Sequence, residues 1–243
     1  MTGLVSGRFE LLEENLNAAL RQVTAGTRKL LFSSEGLHNH WQDYSAHAYG
    51  WLKELASVIP VRLFVVLRDP VEYAHSLYQQ NLKNPKTGTP TYGTSLTFSE
   101  TLQDAWFAKH LDYDGFVSWW EEVVGQGKVD VLTYQKDTRT IVNTYLGVQE
   151  MPWPETRQNV SLGAAGCEVL RQINRFDLSD DLRAKALPHV YAIDALTQGK
   201  EGDRKGMSDI EIRQVWNICA LSIQHLVEKR PELSALLESR PET

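Results

Sequence analysis

Cysteine is nearly absent from this 243-residue chain: Cys167 and Cys219 are the only two, too few for a disulfide framework or a cysteine zinc site. An intracellular, cytoplasmic and reducing setting fits that scarcity. A cationic surplus is missing too. Lysine and arginine number 25 against 31 aspartates and glutamates, for a net charge of −6, which argues against a general nucleic-acid binder. No apolar run approaches the length of a membrane helix, so no membrane span is expected, and the opening MTGLVSGRFELLEEN lacks the basic start and apolar core of a signal peptide. Repeats and low-complexity tracts are absent as well. What remains is 42% hydrophobic and 23% charged residues, enough to bury a sizeable core. One α/β domain over 1–243 is the simplest reading, with two small domains as the alternative.

Hydrophobic periodicity gives the order of elements. Leu12, Leu16, Ala19, Leu20 and Val23 recur at helical spacing over 9–23, and 29–33 reads as a short buried strand. A helical connection over 41–58 leads to a second strand beginning at Val61, and the order β-α-β-α implies a parallel sheet with right-handed crossovers. A Gly/Pro/Thr loop occupies 84–95. Helical patterns follow over 97–107 and 113–124, where the pair Trp119 and Trp120 is expected to split between core and surface. The alternation in KVDVLTY marks 128–134 as the next parallel strand. Beyond it the pattern is mainly helical, over 140–146, 163–176, 182–195 and 209–226, so that 177–243 forms a helical C-terminal part.

The stretch VRLFVVLRDPVEYAHSLYQQNL over 61–82 carries the chemistry. Its β-branched and aromatic run suits a central strand covered on both faces. Asp69 then serves as N-cap, Pro70 takes the first helical position and Glu72 completes an aspartate capping box, so a helix starts directly after Arg68. Arg68 therefore sits at the carboxyl end of a parallel strand, with Ser76 about two turns into the next helix. Open α/β sheets bind ligands in the crevice outside their strand ends. A guanidinium and a hydroxyl converging there suit a phosphate.

The string Arg68-Asp69-Pro70, with Ser76 eight residues after the arginine and Tyr78-Gln79 beyond, resembles the 3′-phosphate-binding motif of sulfotransferases that use 3′-phosphoadenosine-5′-phosphosulfate (PAPS), especially bacterial and glycan-acting members. The resemblance covers about 9–176. It implies a three-layer α/β/α fold like that of P-loop nucleotide-binding proteins, a 3′-phosphate held by Arg68 and Ser76, and sulfonate transfer to a hydroxyl or amine of a glycan or small molecule, with no obligatory metal. Leu30-Leu31-Phe32-Ser33-Ser34-Glu35 ends the first strand at a carboxylate, which the resemblance makes the candidate catalytic base. Capping of a helix near His40 is the plainer role for Glu35. Tyr134 is the corresponding candidate for an adenine-side contact, and Arg157, in Arg157-Gln158-Asn159-Val160-Ser161, a further phosphate donor. Asn159 and Ser161 read first as caps for the helix beginning at Gly163. His38, His40 and His47 have no carboxylate or cysteine completing a ligand set, which points to packing or surface roles, with His38 and His40 as the alternative candidates for the acceptor site.

One expected unit is missing. The family's Lys-Thr-Gly-Thr-Thr loop, which follows a strand and holds the 5′-phosphosulfate at a helix N-terminus, has no counterpart ahead of the first strand. Pro85-Lys86-Thr87-Gly88-Thr89 has nearly the right letters, but it follows a helix and precedes Pro90. The expectation is a chain truncated at its start or a degenerate member. A missing first strand would expose a sheet edge and invite dimerisation. The alternative function is a non-catalytic protein that binds 3′-phosphoadenosine-5′-phosphate (PAP).

Overall fold

The structure, a computed structural model, describes residues 18, 21, 36–86, 91–134, 138–147, 161–176, 178–197 and 207–241. Its elements run α1 (Gly36–Asn39), a 3₁₀ turn (Trp41–Asp43), α2 (Ala46–Val58), β1 (Leu63–Leu67), α3 (Pro70–Lys83), α4 (Phe98–Thr101), α5 (Ala105–Lys109), α6 (Tyr113–Val124), β2 (Val129–Thr133), α7 (Thr138–Leu146), α8 (Ala164–Ile173), α9 (Asp180–Thr197), α10 (Asp209–Lys229) and a 3₁₀ segment (Pro231–Leu237). The arrangement is α/β, with helices predominating and β1 and β2 paired in a two-stranded sheet among the described residues. The Leu63 N–H donates to the Lys128 carbonyl at 2.9 Å and the Tyr134 N–H to the Leu67 carbonyl at 2.6 Å. Those two bonds set Leu63 opposite Val129 and Leu67 opposite Thr133, so the strands are parallel. The strand expected over 29–33 lies outside the described residues.

Local sequence explains where five of the helices begin. Asp69 caps α3 through one oxygen, its Oδ1 accepting from the N–H groups of Val71 at 3.0 Å and Glu72 at 2.9 Å, with Pro70 at the first position. Thr97 with Glu100, and Ser208 with Glu211, form reciprocal capping boxes for α4 and α10. Two expected helices are broken by their own polar residues. Ser45 caps α2 by accepting from the Ala48 N–H at 3.1 Å, which separates it from the 3₁₀ turn at Trp41. Asp104 accepts from the Phe107 N–H at 3.1 Å and restarts the chain as α5. In both places the short side chain offers the backbone a bond that competes with continuing the helix.

Residues 1–65 with 113–131 form one compact unit, and 66–112 with 132–243 form another. In the first, α2 packs on α6, whose buried face is Tyr113, Phe116, Val117, Trp120, Val123 and Val124. Trp120 is buried, whereas Trp119 is half-buried among Trp41, Tyr44 and Tyr49 with ring centroids 5.4 to 6.2 Å away. The tandem tryptophans thus divide as their helical spacing requires.

In the second unit, α3 packs against α4, α8 and α10, and α8 against α9. Val71, Ala74, Leu77, Tyr78 and Leu82 of α3 are buried, each large apolar side chain contributing about 1.5–3 kcal/mol by leaving water. The helical C-terminal part is integral to this core. Arg183 of α9 donates to the carbonyls of Leu82 and Lys83 and, at 2.9 Å, to Asn174 Oδ1, while Asn174 donates to the carbonyls of Leu82 at 3.0 Å and Thr94 at 2.8 Å. The last carbonyls of α3, which have no partner within their own helix, are satisfied from residues 92 to 101 positions downstream.

Candidate functional site

The carboxyl ends of β1 and β2 place Arg68 and Tyr134 together. Each is the residue immediately after its strand, and the Arg68 guanidinium carbon lies over the Tyr134 ring, 4.8 Å from its centroid. Arg68 is exposed and Tyr134 is 46% exposed. A cation over a tyrosine face at an exposed site is worth about 0.5–1 kcal/mol. That is enough to bias the orientation of a long side chain.

Ser76 is exposed on α3. Seven residues beyond the Asp69 cap, it stands about 10 Å along the helix axis from the strand end. Asp69 already takes the N–H groups of Val71 and Glu72. Two of the N–H groups of the first turn of α3 are therefore already engaged. Glu35 and Arg157, the other two expected site residues, lie outside the described residues, as does Asn159.

Leu162 is tied to α3 by a residue that the motif string contains but to which no role was given. Gln79, 4% exposed, donates from its Nε2 to the Leu162 carbonyl at 2.7 Å and accepts the Leu162 N–H on its Oε1 at 2.9 Å. An amide side chain used in this way reproduces the pairing of a neighbouring strand. It shares the buried face of α3 with one other polar residue, Asn81.

The cap of α8 corrects an expectation. Ser161 is exposed, and the N-cap residue is Gly163. The anchoring carboxylate comes from Asp194 of α9, whose Oδ2 accepts the Gly163 N–H at 2.8 Å and whose Oδ1 accepts the Gly166 N–H at 2.9 Å. Asp194 is 3% exposed, and a Cβ on Gly166 would stand 2.8 Å from its carboxylate carbon, so that position requires glycine. A carboxylate at a helix N-terminus is favoured by the helix dipole.

Several titrations are set by this packing. Burial chiefly, with the nearby Asp194 charge adding to it, pushes the Cys167 thiol up to about 12, and burial likewise raises Cys219 to about 12. Neither is a ready nucleophile at neutral pH. Burial pulls His75 below its usual range. The Glu168 carboxyl, gripped by Arg171 through two bonds of 2.7 Å, falls to about 2.

The remaining candidates are placed as follows. His38 stacks edge-on against Phe116 at 4.7 Å, His40 pairs with Asp43 at 3.2 Å and His47 is exposed on α2. Among the described residues no group of three or more His, Cys, Asp or Glu side chains is placed to hold a metal ion, and no described helix is long and apolar enough to cross a membrane. Lys86 is exposed beyond the end of α3. Gly93, at φ +63° and bonded through its N–H to the Asn81 carbonyl at 2.7 Å, closes the turn beside the Lys86 stem. No family model, curated protein or solved structure matches the chain.

Proposed function

We propose that this chain binds an adenosine nucleotide carrying a 3′-phosphate, PAP or PAPS, and derives from PAPS-dependent sulfotransferases of three-layer α/β/α, P-loop-like fold. The observation that carries the reading is the Arg68 guanidinium resting on the exposed Tyr134 ring where two parallel strands end. Arg68 and Ser76 would supply a planar fork and a hydroxyl to the 3′-phosphate. Tyr134 would offer its ring to the adenine.

In sulfonate transfer, the acceptor oxygen or nitrogen of a glycan or small molecule attacks sulfur in line. The new bond to sulfur forms as the bond to the 5′-phosphate oxygen breaks, PAP departs, and the acceptor's proton passes to Glu35 as general base. Positioning and charge stabilisation do most of such chemistry. A second reading, PAP binding without transfer, is favoured by the placement of the Lys-Thr-Gly-Thr string. That string follows α3, not a strand, and its Lys86 is exposed. Calorimetric titration with PAP tests the shared part of both readings: the wild-type chain binds, and Arg68→Ala weakens binding by about 1.5–3 kcal/mol, the scale of a hydrogen bond to a charged group. Equal affinity in the variant overturns both.

A further inference from the structure

Gln79 occupies an unusual place for a buried amide. It lies one turn after Ser76 on α3, and both ends of its side chain bond the backbone of Leu162, its Nε2 also lying 3.5 Å from His75 Nε2. Leu162 is itself 3% exposed, so the clamp is sealed from water and its two bonds are not traded for solvent. The residue before Leu162 is Ser161. It is exposed, and the cap of α8, the obvious alternative use of its hydroxyl, is already supplied by Asp194. Consecutive Cα atoms lie about 3.8 Å apart, so a clamp on Leu162 also fixes where Ser161 emerges beside α3.

Resting on the phosphate-site reading above, we infer that Gln79 is a positioning residue that docks Leu162 on α3 so that Ser161 joins Ser76 as a second hydroxyl donor to the nucleotide's 3′-phosphate. The pairing is directional. Gln79 must both donate and accept, so a leucine of similar size keeps the burial and loses the alignment, whereas a glutamate keeps the acceptor and sets an ionised oxygen against the Leu162 carbonyl. The carboxyl of Gln79→Glu, raised by burial, regains a donor when it is protonated. Asp194 holds the other side of the same turn through Gly163, so the segment is fixed at two successive residues, and Ser161 has little freedom left to lose when it meets an anion.

The experiment measures the affinity ratio between PAP and adenosine 5′-phosphate, which isolates the 3′-phosphate, in the wild type and in Gln79→Leu, Gln79→Glu, Ser161→Ala and Arg68→Ala, with a thermal melt of each to confirm folding. Gln79→Leu and Ser161→Ala each reduce the ratio by about tenfold, and together by no more than the larger of the two. Gln79→Glu reduces it at pH 8. A role confined to stability would instead lower the melting temperature and leave the ratio intact. Should Arg68→Ala collapse the ratio while folded Gln79→Leu and Ser161→Ala leave it unchanged, the clamp is wrong and the phosphate site stands. If Arg68→Ala leaves the ratio unchanged, the phosphate site is wrong and the clamp's role in it falls too. Should Gln79→Leu fail to fold, Ser161→Ala, an exposed substitution, decides alone.

Discussion

Replacing Asp194 should be among the most damaging single changes in the second unit. Its carboxylate is 3% exposed and accepts two backbone N–H groups, at 2.8 and 2.9 Å. Hydrogen bonds to a charged group contribute about 1.5–3 kcal/mol each, and a donor left buried without a partner adds its own desolvation cost. Asp194→Ala removes both bonds and leaves the first turn of α8 without its carboxylate, for a loss of about 3–5 kcal/mol. For a chain of this size that corresponds to a fall in melting temperature of about 6–20 °C. Asp194→Asn keeps the shape and one acceptor but turns an NH₂ group toward an N–H, so about half of that loss is expected. Urea unfolding followed by circular dichroism reads both variants. A change below about 1 kcal/mol in Asp194→Ala, within the range of an ordinary surface substitution, would refute the claim that α9 anchors α8.

Gly166→Ala should destabilise despite alanine's better helix propensity, because its Cβ would stand 2.8 Å from a carboxylate that is already held by two bonds; a stabilised variant in thermal melts would show that Asp194 yields freely. His75, kept below its usual range by burial, is neutral in the fold and takes up a proton more readily when unfolded, so stability should decline as pH falls through about 6.5. Urea midpoints between pH 8 and 5 check this, and His75→Gln should flatten that part of the profile. On the second reading of the proposed function, the 243-residue chain should release little PAP from PAPS with pooled glycan and phenolic acceptors, since its Lys-Thr-Gly-Thr string follows a helix and losing even one anion-stabilising donor costs about 2–4 kcal/mol. Robust turnover would make Lys86 the first residue to mutate. In any active form, Glu35→Gln should cost about a hundredfold or more in rate with PAP binding intact.

The elements governed by local chemistry were legible in the sequence. Asp69-Pro70 fixed the start of α3, the alternation in KVDVLTY fixed β2, and the spacing of Tyr113, Phe116, Trp120 and Val124 fixed α6. Breaks inside expected helices were missed where one polar side chain restarted the chain, at Ser45 and Asp104. The larger omission is long-range. Arg183, Asn174 and Asp194 satisfy backbone groups 28 to 101 residues away, and no local pattern announces which distant helix end a buried polar side chain will serve. Hence 177–243 read only as a helical C-terminal part, although its side chains complete α3 and α8. Of the candidate site, the pattern placed Arg68 and Tyr134 at strand ends, where they meet. The link through Gln79 escaped notice because a buried glutamine has no spacing rule of its own.

The central claim, that Arg68 holds a 3′-phosphate, is tested most directly by a four-cornered cycle that titrates PAP and adenosine 5′-phosphate into the wild-type chain and into Arg68→Ala. The account predicts a coupling of about 1.5–3 kcal/mol between the guanidinium and the 3′-phosphate: the variant loses that much for PAP and almost nothing for adenosine 5′-phosphate. Equal losses for both nucleotides, or none for either, would contradict it.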